Sequence, residues 1–379
     1  MKSLIVCLLA TFTLTSVAVG QSAPDDAAVA DAVATVKKVE LHGVGHADAV
    51  KAMKTLNGVS ASQISMLFEA MDGSNPVSAN WIRAAIQKSI SRIDQFPSDS
   101  IRAYFDDQTK NPKGRWLAWQ MLAENQADFR NATIDALVSD ASMPLREIGI
   151  AKLIEDAKAM GVDVEKMDDD TKAKKKTLLQ RALENARDVD QIRSIAKSLS
   201  PLGQETNLRA HLGFVEAWHL VAGFDNKDES GFDVAYDPES SLASPDLSST
   251  FTIGEKNVQW KGTESTHVTG VVDLNEVLGK AKGVVAYAAS DFESSADYEA
   301  EVRIGTPNAH KIWINGDLVM SNEIYHNSNS IDKFSAPVKL KKGVNQVVVK
   351  LCQNEQTQSW AQDWSFQLRF CDATGKAVR

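Results

Sequence analysis

The sequence predicts a multi-domain protein with separate α and β parts, an N-terminal α-solenoid followed by a C-terminal antiparallel β-sandwich of jelly-roll-like build. Three observations predict it. Arginines recur at 83, 115 and 146, each early in a similar apolar segment, at spacings of 32 and 31 residues. At Phe214 the apolar period switches from 3.6 to 2. Within the alternating region, Asn315-Gly316 is a two-residue hairpin signal, because both central positions of a type I′ turn need positive φ.

The chain opens with a targeting signature. Lys2 supplies a short positive region, Leu4 to Leu14 is apolar, and Ser16 to Ala23 is small and polar enough for cleavage. Residues 1–22 are therefore expected to be a signal peptide, with Cys7 lost in it. The protein is then expected to be exported to the periplasm or the exterior, with no membrane span after cleavage. Residues 23–39, rich in Ala and Asp, read as a linker able to become helical.

The helical region is assigned to 40–212. Its repeated segments are Asn80 to Ile86, Lys113 to Trp119 and Pro144 to Ile150. Such a period signals stacked helix pairs, since each pair buries its apolar face only against its neighbours. In the first copy Ile82, Ala85, Ile86, Ser89, Ile90 and Ile93 form one stripe with a single polar break. Small residues at Ala85, Ala118 and Gly149 would allow close helix approach, and Asn80 and Asp140 read as caps. Trp116 and Trp119, three apart, read as core. A helix over Thr171 to Arg187 starts after Asp168-Asp169-Asp170, acids suited to a helix N-terminus. Its Lys172, Lys174, Lys175 and Lys176 read as a solvated face. Another helix, Asp190 to Leu199, ends at Pro201 and Gly203. The repeats resemble HEAT-like repeats, in which a second helix carries an arginine in its first turn.

The sandwich is assigned to 213–375. After the segment from Phe214, strands are expected at 257–261, 283–289, 297–304, 309–315, 334–340, 345–352 and 364–371. In 297–304, Tyr298, Ala300, Val302 and Ile304 share one face while Glu299, Glu301 and Arg303 share the other, as in a sheet with one wet face. In 309–315, Ile312 and Ile314 oppose Lys311, Trp313 and Asn315, which puts Trp313 on a wet face or under a loop. If 346–352 and 364–371 pair as a hairpin, Cys352 and Cys371 lie about 20 Å apart, too far for the disulfide that an exported chain would otherwise suggest, while a slipped or different strand pairing leaves that disulfide open.

Four further motifs carry a resemblance: Trp218 to Asn226, Tyr236-Asp237-Pro238-Glu239, Trp313 to Gly316, and Leu340 to Asn345. They resemble a sandwich module of secreted bacterial proteins, notably of planctomycete-like lineages, similar to the sugar-binding-like domain appended to glycoside hydrolases and to PA14-type sandwiches. The chain departs from that pattern at Ala222, Gly223 and Asp237, where the pattern has Gly, Pro and Pro. The resemblance implies a β-sandwich and, through it, carbohydrate binding.

Charge narrows the partners. The net charge is -9, and residues 213–379 hold 23 acidic against 15 basic residues, so nucleic acid is an unfavourable partner. There is no Gly-x-Ser-x-Gly, His-Glu-x-x-His, phosphate-binding loop or Cys-x-x-Cys. His310 and His326 have no third metal ligand in register. Glycoside hydrolysis needs a carboxylate pair, and the loop acids Asp291, Glu293, Asp332 and Glu355 contain no pair that the sequence singles out. Asp225, Asn226, Asp228, Glu229 and Asp233 gather oxygen ligands near a glycine, so a structural calcium ion is a candidate there, with an acidic turn as the alternative. No other cofactor is expected. Sugar recognition would use aromatic faces and polar groups from Trp313, Asn315, Tyr325, Trp360 and Trp364, although for each Trp a core or loop-anchor role is the favoured reading over ligand contact. The expectation is thus a non-catalytic, exported binding protein, its sandwich engaging a glycan or cell-envelope component and its solenoid a protein partner. The alternatives are a structural assembly module of a surface or periplasmic complex, and a cryptic glycoside hydrolase.

Overall fold

The computed structural model describes residues 22–378. The expected signal segment 1–22, with Cys7, lies outside them except for Ser22. By packing, the chain divides into a unit ending at Thr133 and a unit running from Ile134.

The first unit is helical: α1 Asp26–Val36, α2 His46–Leu56, α3 Ile64–Met71, α4 Pro76–Ile90, α5 Ser98–Asp106, α6 Pro112–Asn125 and α7 Phe129–Thr133. The Ala- and Asp-rich stretch is a helix, α1. It is capped by the Asp25 carboxylate, which accepts from the Ala28 N–H at 2.7 Å, and it buries Val29 and Val36 completely. In α4 Ile82, Ala85 and Ile86 of the expected stripe are buried, Ile90 is half-buried and Ile93 falls beyond the helix end, and the polar break is satisfied by a 3.0 Å bond from Ser89 Oγ to the Leu56 carbonyl. Asn80 is not a cap. The helix begins earlier, at Pro76, whose fixed φ suits the first turn, and Asn75 accepts from the Val77 and Ser78 N–H groups. Arg115 is buried and donates to the Phe105 carbonyl, whereas Arg83 is exposed.

The second unit opens with α8 Met143–Ala159, α9 Asp169–Asn185, α10 Val189–Leu199 and α11 Leu208–Leu212. Arg146 on α8 repeats the role of Arg115: buried, it donates to the Asp140 and Ser139 carbonyls of the preceding turn. Asp140 sits two residues ahead of Ser142 and accepts its N–H. Gly149 has a specific reason to be glycine, since a Cβ there would meet the Val138 backbone nitrogen at 2.5 Å. Asp168 caps α9 through the Thr171 N–H. The lysine run is only partly a solvated face: Lys175 is buried and donates to the Gly161 carbonyl. Apolar residues of α8, α9 and α10 form one core that also takes in Leu212 and Phe214, the entry to the sheets.

The strands are β1 Ala217–Asp225, β2 Thr250–Ile253, β3 Lys256–Gln259, β4 Lys261–Glu264, β5 Val272–Asp273, β6 Val284–Ser294, β7 Tyr298–Gly305, β8 Ala309–Ile314, β9 Asp317–Asn322, β10 Phe334–Leu340, β11 Gly343–Gln353 and β12 Ser365–Cys371, with a short helix α12, Leu274–Leu278, after β5. A six-stranded antiparallel sheet has the order β4-β1-β6-β11-β8-β9, a four-stranded one β10-β7-β12-β5, and β2-β3 is a separate hairpin. Both sheets contribute to one core, where Trp218, Leu220, Ile312, Val347 and Val349 share a cluster with Val302, Ile304, Phe366 and Phe370. Each such fully buried aliphatic or aromatic side chain stabilises the fold by about 1.5–3 kcal/mol. The Asn315-Gly316 turn has φ of +53° and +92°, as the hairpin signal requires.

One strand-pairing expectation is corrected. The strands containing Cys352 and Cys371 do not pair: β11 lies in the six-stranded sheet and β12 in the four-stranded one, and both cysteines are buried free thiols. Of the two places open to Trp313, a wet face or a loop cover, the second is found on the six-stranded sheet. Its outer side carries a second apolar layer that includes Val221, Phe224, Trp313, Val348 and Cys352, covered by Phe232, Phe251 and neighbouring residues of the segment 226–260. That cover is locked by Lys350, which is fully buried on the outer side of β11, reaches the Glu239 carboxylate at 3.0 Å and the Val234 carbonyl at 2.6 Å, and lies over the Tyr236 and Tyr287 rings.

Candidate functional site

The sequence-selected residues divide into core groups and one surface group. Trp364 is fully buried between the sheets, and Trp313 is 6% exposed under the outer cover, so neither ring face is open to a ligand. Asn315 serves its turn: it accepts from the Gln346 N–H and donates to Asn345 Oδ1. It also sits at the far end of β8 from the remaining candidates. Its neighbour Gln346 and the terminal Gln353 are separated by about 24 Å along β11 at ~3.4 Å per residue.

Trp360 is different. Its side chain is 62% exposed, on a short helical turn, Ser359–Ala361, between β11 and β12. The turn itself is held down. Ala361 is buried and its carbonyl accepts from Lys282 Nζ, while Gln362 Nε2 donates to the Thr357 and Gln358 carbonyls. The indole meets the edge of His326 at 5.0 Å between centroids and 84° between planes. His326 stands in a left-handed conformation with φ of +54°, and its Nε2 is 2.9 Å from Asn354 Oδ1. Tyr325 adjoins His326 at 6.4 Å, and burial pushes its hydroxyl pKa up.

Beneath this group the strand ends are tied together by buried amides. Asn226 is inaccessible to solvent. Its Oδ1 accepts from the Gly231 N–H, and its Nδ2 donates to the Gln353 carbonyl at 3.1 Å and lies 3.3 Å from the Tyr325 hydroxyl. Asn354 donates to Glu229 Oε1 at 2.9 Å, and Glu355 accepts from the Asp228 N–H. Next to this group lies an open hollow of about 530 Å³, lined by Asp228, Glu229, Asn354, Glu355, Gln356, Thr357 and Gln358 and not by Trp360, His326 or Tyr325. An aromatic face held in water beside amides, carboxylates and an imidazole can stack on an apolar ring face and bond to its peripheral hydroxyls. Because the loop is already tied, little conformational entropy is lost when a ligand docks.

Of the residues read as calcium ligands, Asp233 pairs with Lys311 at 2.7 Å, Asp225 accepts from the Lys227 N–H, Glu229 accepts from Asn354, and Asn226 is committed as described. Asp228 is exposed. Among the described residues no three or more His, Cys, Asp or Glu side chains gather into a group able to hold a metal. The nominated loop acids are also dispersed. Asp291 and Glu293 lie toward the end of β6 that pairs with Gln346 and Val344, whereas Glu355 follows the opposite end of β11. Burial raises the Asp332 carboxyl pKa, but Arg369 and Arg303 outweigh it and hold that pKa below the usual range. From the sequence His326 is named only as a metal ligand without partners, and Asn354 is not named at all. The polar, Gln-rich stretch around one Trp was the available signal, and the left-handed turn that brings His326 to it leaves no mark in side-chain pattern.

No family model matches the chain, and no curated protein matches it. Among solved structures, it is similar to a β-glucosidase from Kluyveromyces marxianus in complex with glucose (14% identity, TM-score 0.26, covering 41% of this chain and 16% of that one). It is also similar to a GH31 α-xylosidase from Xanthomonas citri (10% identity, TM-score 0.20, the same 41% and 16%). Over 93% of this chain and 95% of that one it aligns with the alkylpurine DNA glycosylase AlkC from Pseudomonas fluorescens at 14% identity and a TM-score of 0.18.

Proposed function

We propose that this chain is an exported, non-catalytic binding protein whose sandwich takes a glycan or cell-envelope component on the Trp360 rim. The observation that carries this reading is the 62% exposed indole on a loop fastened from below. What sets it apart from the other exposed apolar side chains is a flat aromatic face with polar groups beside it, the arrangement that stacking on a sugar ring uses. The finer architecture belongs to the same proposal. A jelly-roll-like wrap is supported by the way β6 and β7 pair with β11 and β10 respectively, one long hairpin folded across both sheets. A HEAT-like solenoid, offering a surface to a protein partner, is supported by the matched roles of Arg115 and Arg146.

The test is retention of the full chain on a panel of insoluble polysaccharides, for wild type, Trp360→Ala and Trp313→Ala. The expected result is retention on one class, competed by its soluble oligosaccharide and lost in W360A with an unchanged melting temperature. W313A, which empties a core site, should instead lower the melting temperature. Absence of retention on every member, or retention that W360A leaves intact, overturns the reading in favour of an assembly module.

A further inference from the structure

A larger cleft lies elsewhere in the second unit, where α8 and α10 face the sheets. It has a volume of about 870 Å³, within the range of small-molecule sites, and its walls are mainly polar side chains. Most of the charges in those walls are already matched. Asp332 is bonded to Arg369 and Arg303, and Arg303 also to Glu301. Asp188 is occupied as the cap of α10, accepting from the Gln191 N–H.

Arg187 and, across the cleft, Glu147 are the exceptions. Arg187 lies between α9 and α10, lines this cleft, and also borders a smaller adjoining hollow of about 350 Å³. One terminal nitrogen caps the end of α9 through the Glu184 and Ala186 carbonyls. Its Nε is buried without a partner, and no ion pair is recorded for the guanidinium among the described residues. Asp372 acts on it only through space, since that carboxylate is bonded within its own turn to Thr374 and Lys376. Burial and the nearby charge of Arg146 hold the Arg187 pKa below the usual arginine value, and loss of solvation together with Asp188 raises that of Glu147 across the cleft. Both shifts describe a site partly screened from water, where an unmatched cation is costly. Arg193, on the same wall, makes only a long 3.7 Å contact with Asp190, whose side chain is 90% exposed. Nearby, Gln367 is 4% exposed and its Oε1 has no partner.

We infer that this cleft is a second binding site, and that it takes a small carboxylate bearing hydroxyl groups, of the uronate type. The carboxylate meets Nη2 of Arg187, the nitrogen left when Nη1 is bonded and Nε is buried, and the planar fork of Arg193. The hydroxyls meet the amides and hydroxyls of Gln367, Asn329 and Ser330. This inference is independent of the Trp360 rim.

The experiment is calorimetric titration of the full chain with D-glucuronate and with D-glucose, which differs in lacking the carboxylate. Wild type and W360A should bind glucuronate equally, and glucose at least about 10-fold more weakly. Arg187→Gln and Arg193→Gln, with melting temperatures close to wild type, should each lose about 10- to 100-fold in glucuronate affinity, the weight of one charge-assisted contact. If R187Q does not fold, R193Q decides, because its side chain is 45% exposed and outside the core. Absence of glucuronate binding at 10 mM (roughly 2.7 kcal/mol of binding free energy at 1 M reference), equal binding of glucose, or affinities in the folded variants within twofold of wild type would each overturn the proposal.

Discussion

Substituting Lys350 tests whether the outer cover of the six-stranded sheet is held by a buried ion pair. Lys350 is inaccessible to solvent, and its partner Glu239, 14% exposed at the side chain, also accepts a hydrogen bond from the Tyr287 hydroxyl. Lys350→Met keeps the length and apolar stem but removes the cation. A carboxylate then stays under the cover with a tyrosine hydroxyl as its remaining hydrogen-bond partner, and removing one partner of a buried pair costs about 3–5 kcal/mol. For a unit of this size each kcal/mol moves the melting temperature by about 2–4 °C, so a drop of about 6–20 °C is expected. Differential scanning calorimetry measures it, and limited proteolysis should show new cleavage within 226–260. The double variant K350M/E239Q should recover part of the loss, since the uncompensated charge is gone. A K350M melting temperature within 2 °C of wild type, against the expected ~6 °C or more, would show that the pair does not hold the cover.

Other outcomes follow from the same reasoning. Gly149→Ala should destabilise the helical part of the second unit by about 1–3 kcal/mol, because the new methyl meets the immobile backbone of Leu137 and Val138; denaturant unfolding followed by circular dichroism reads this. The folded-state pKa of Asp332 lies below its unfolded value, so its contribution is fully present above the unfolded pKa of about 4 and disappears as pH falls through the lower folded value. Asp332→Asn should accordingly be less stable than wild type at neutral pH, and the difference should shrink in acid, as melts between neutral pH and about pH 2 would show.

Much of the framework was legible because it depends on periodicity. The switch at Phe214, the alternation of β7, the Asn315-Gly316 turn and the acids before α9 are local signals, and each reappears where expected. Features that depend on distant chain segments were not legible. Lys350 and Trp313 occupy outward positions of alternating strands, which pattern alone assigns to water or to a loop, and only the fold of 226–260 over them decides. The strands bearing Cys352 and Cys371 are neighbours in sequence, yet β11 and β12 enter different sheets. Asn80 resembled a cap because an apolar stripe follows it, but Asn75-Pro76 is the stronger start and recruits one more turn. In the candidate site, Trp360 and Tyr325 could be named from composition. His326 and Asn354 come to them through a left-handed turn and a buried amide lattice.

The cover over the six-stranded sheet, residues 226–260, is bonded to the Trp360 rim without being part of it. Asn226, at its start, is tied through Gln353 and Tyr325 to the rim, while Glu239, farther along, is anchored by Lys350. A molecule gripping the rim therefore pulls on the same strap that seals the sheet. Occupancy of the proposed rim site would then slow local opening along the outer flank of the six-stranded sheet, so that a ligand would be read out as resistance to proteolysis.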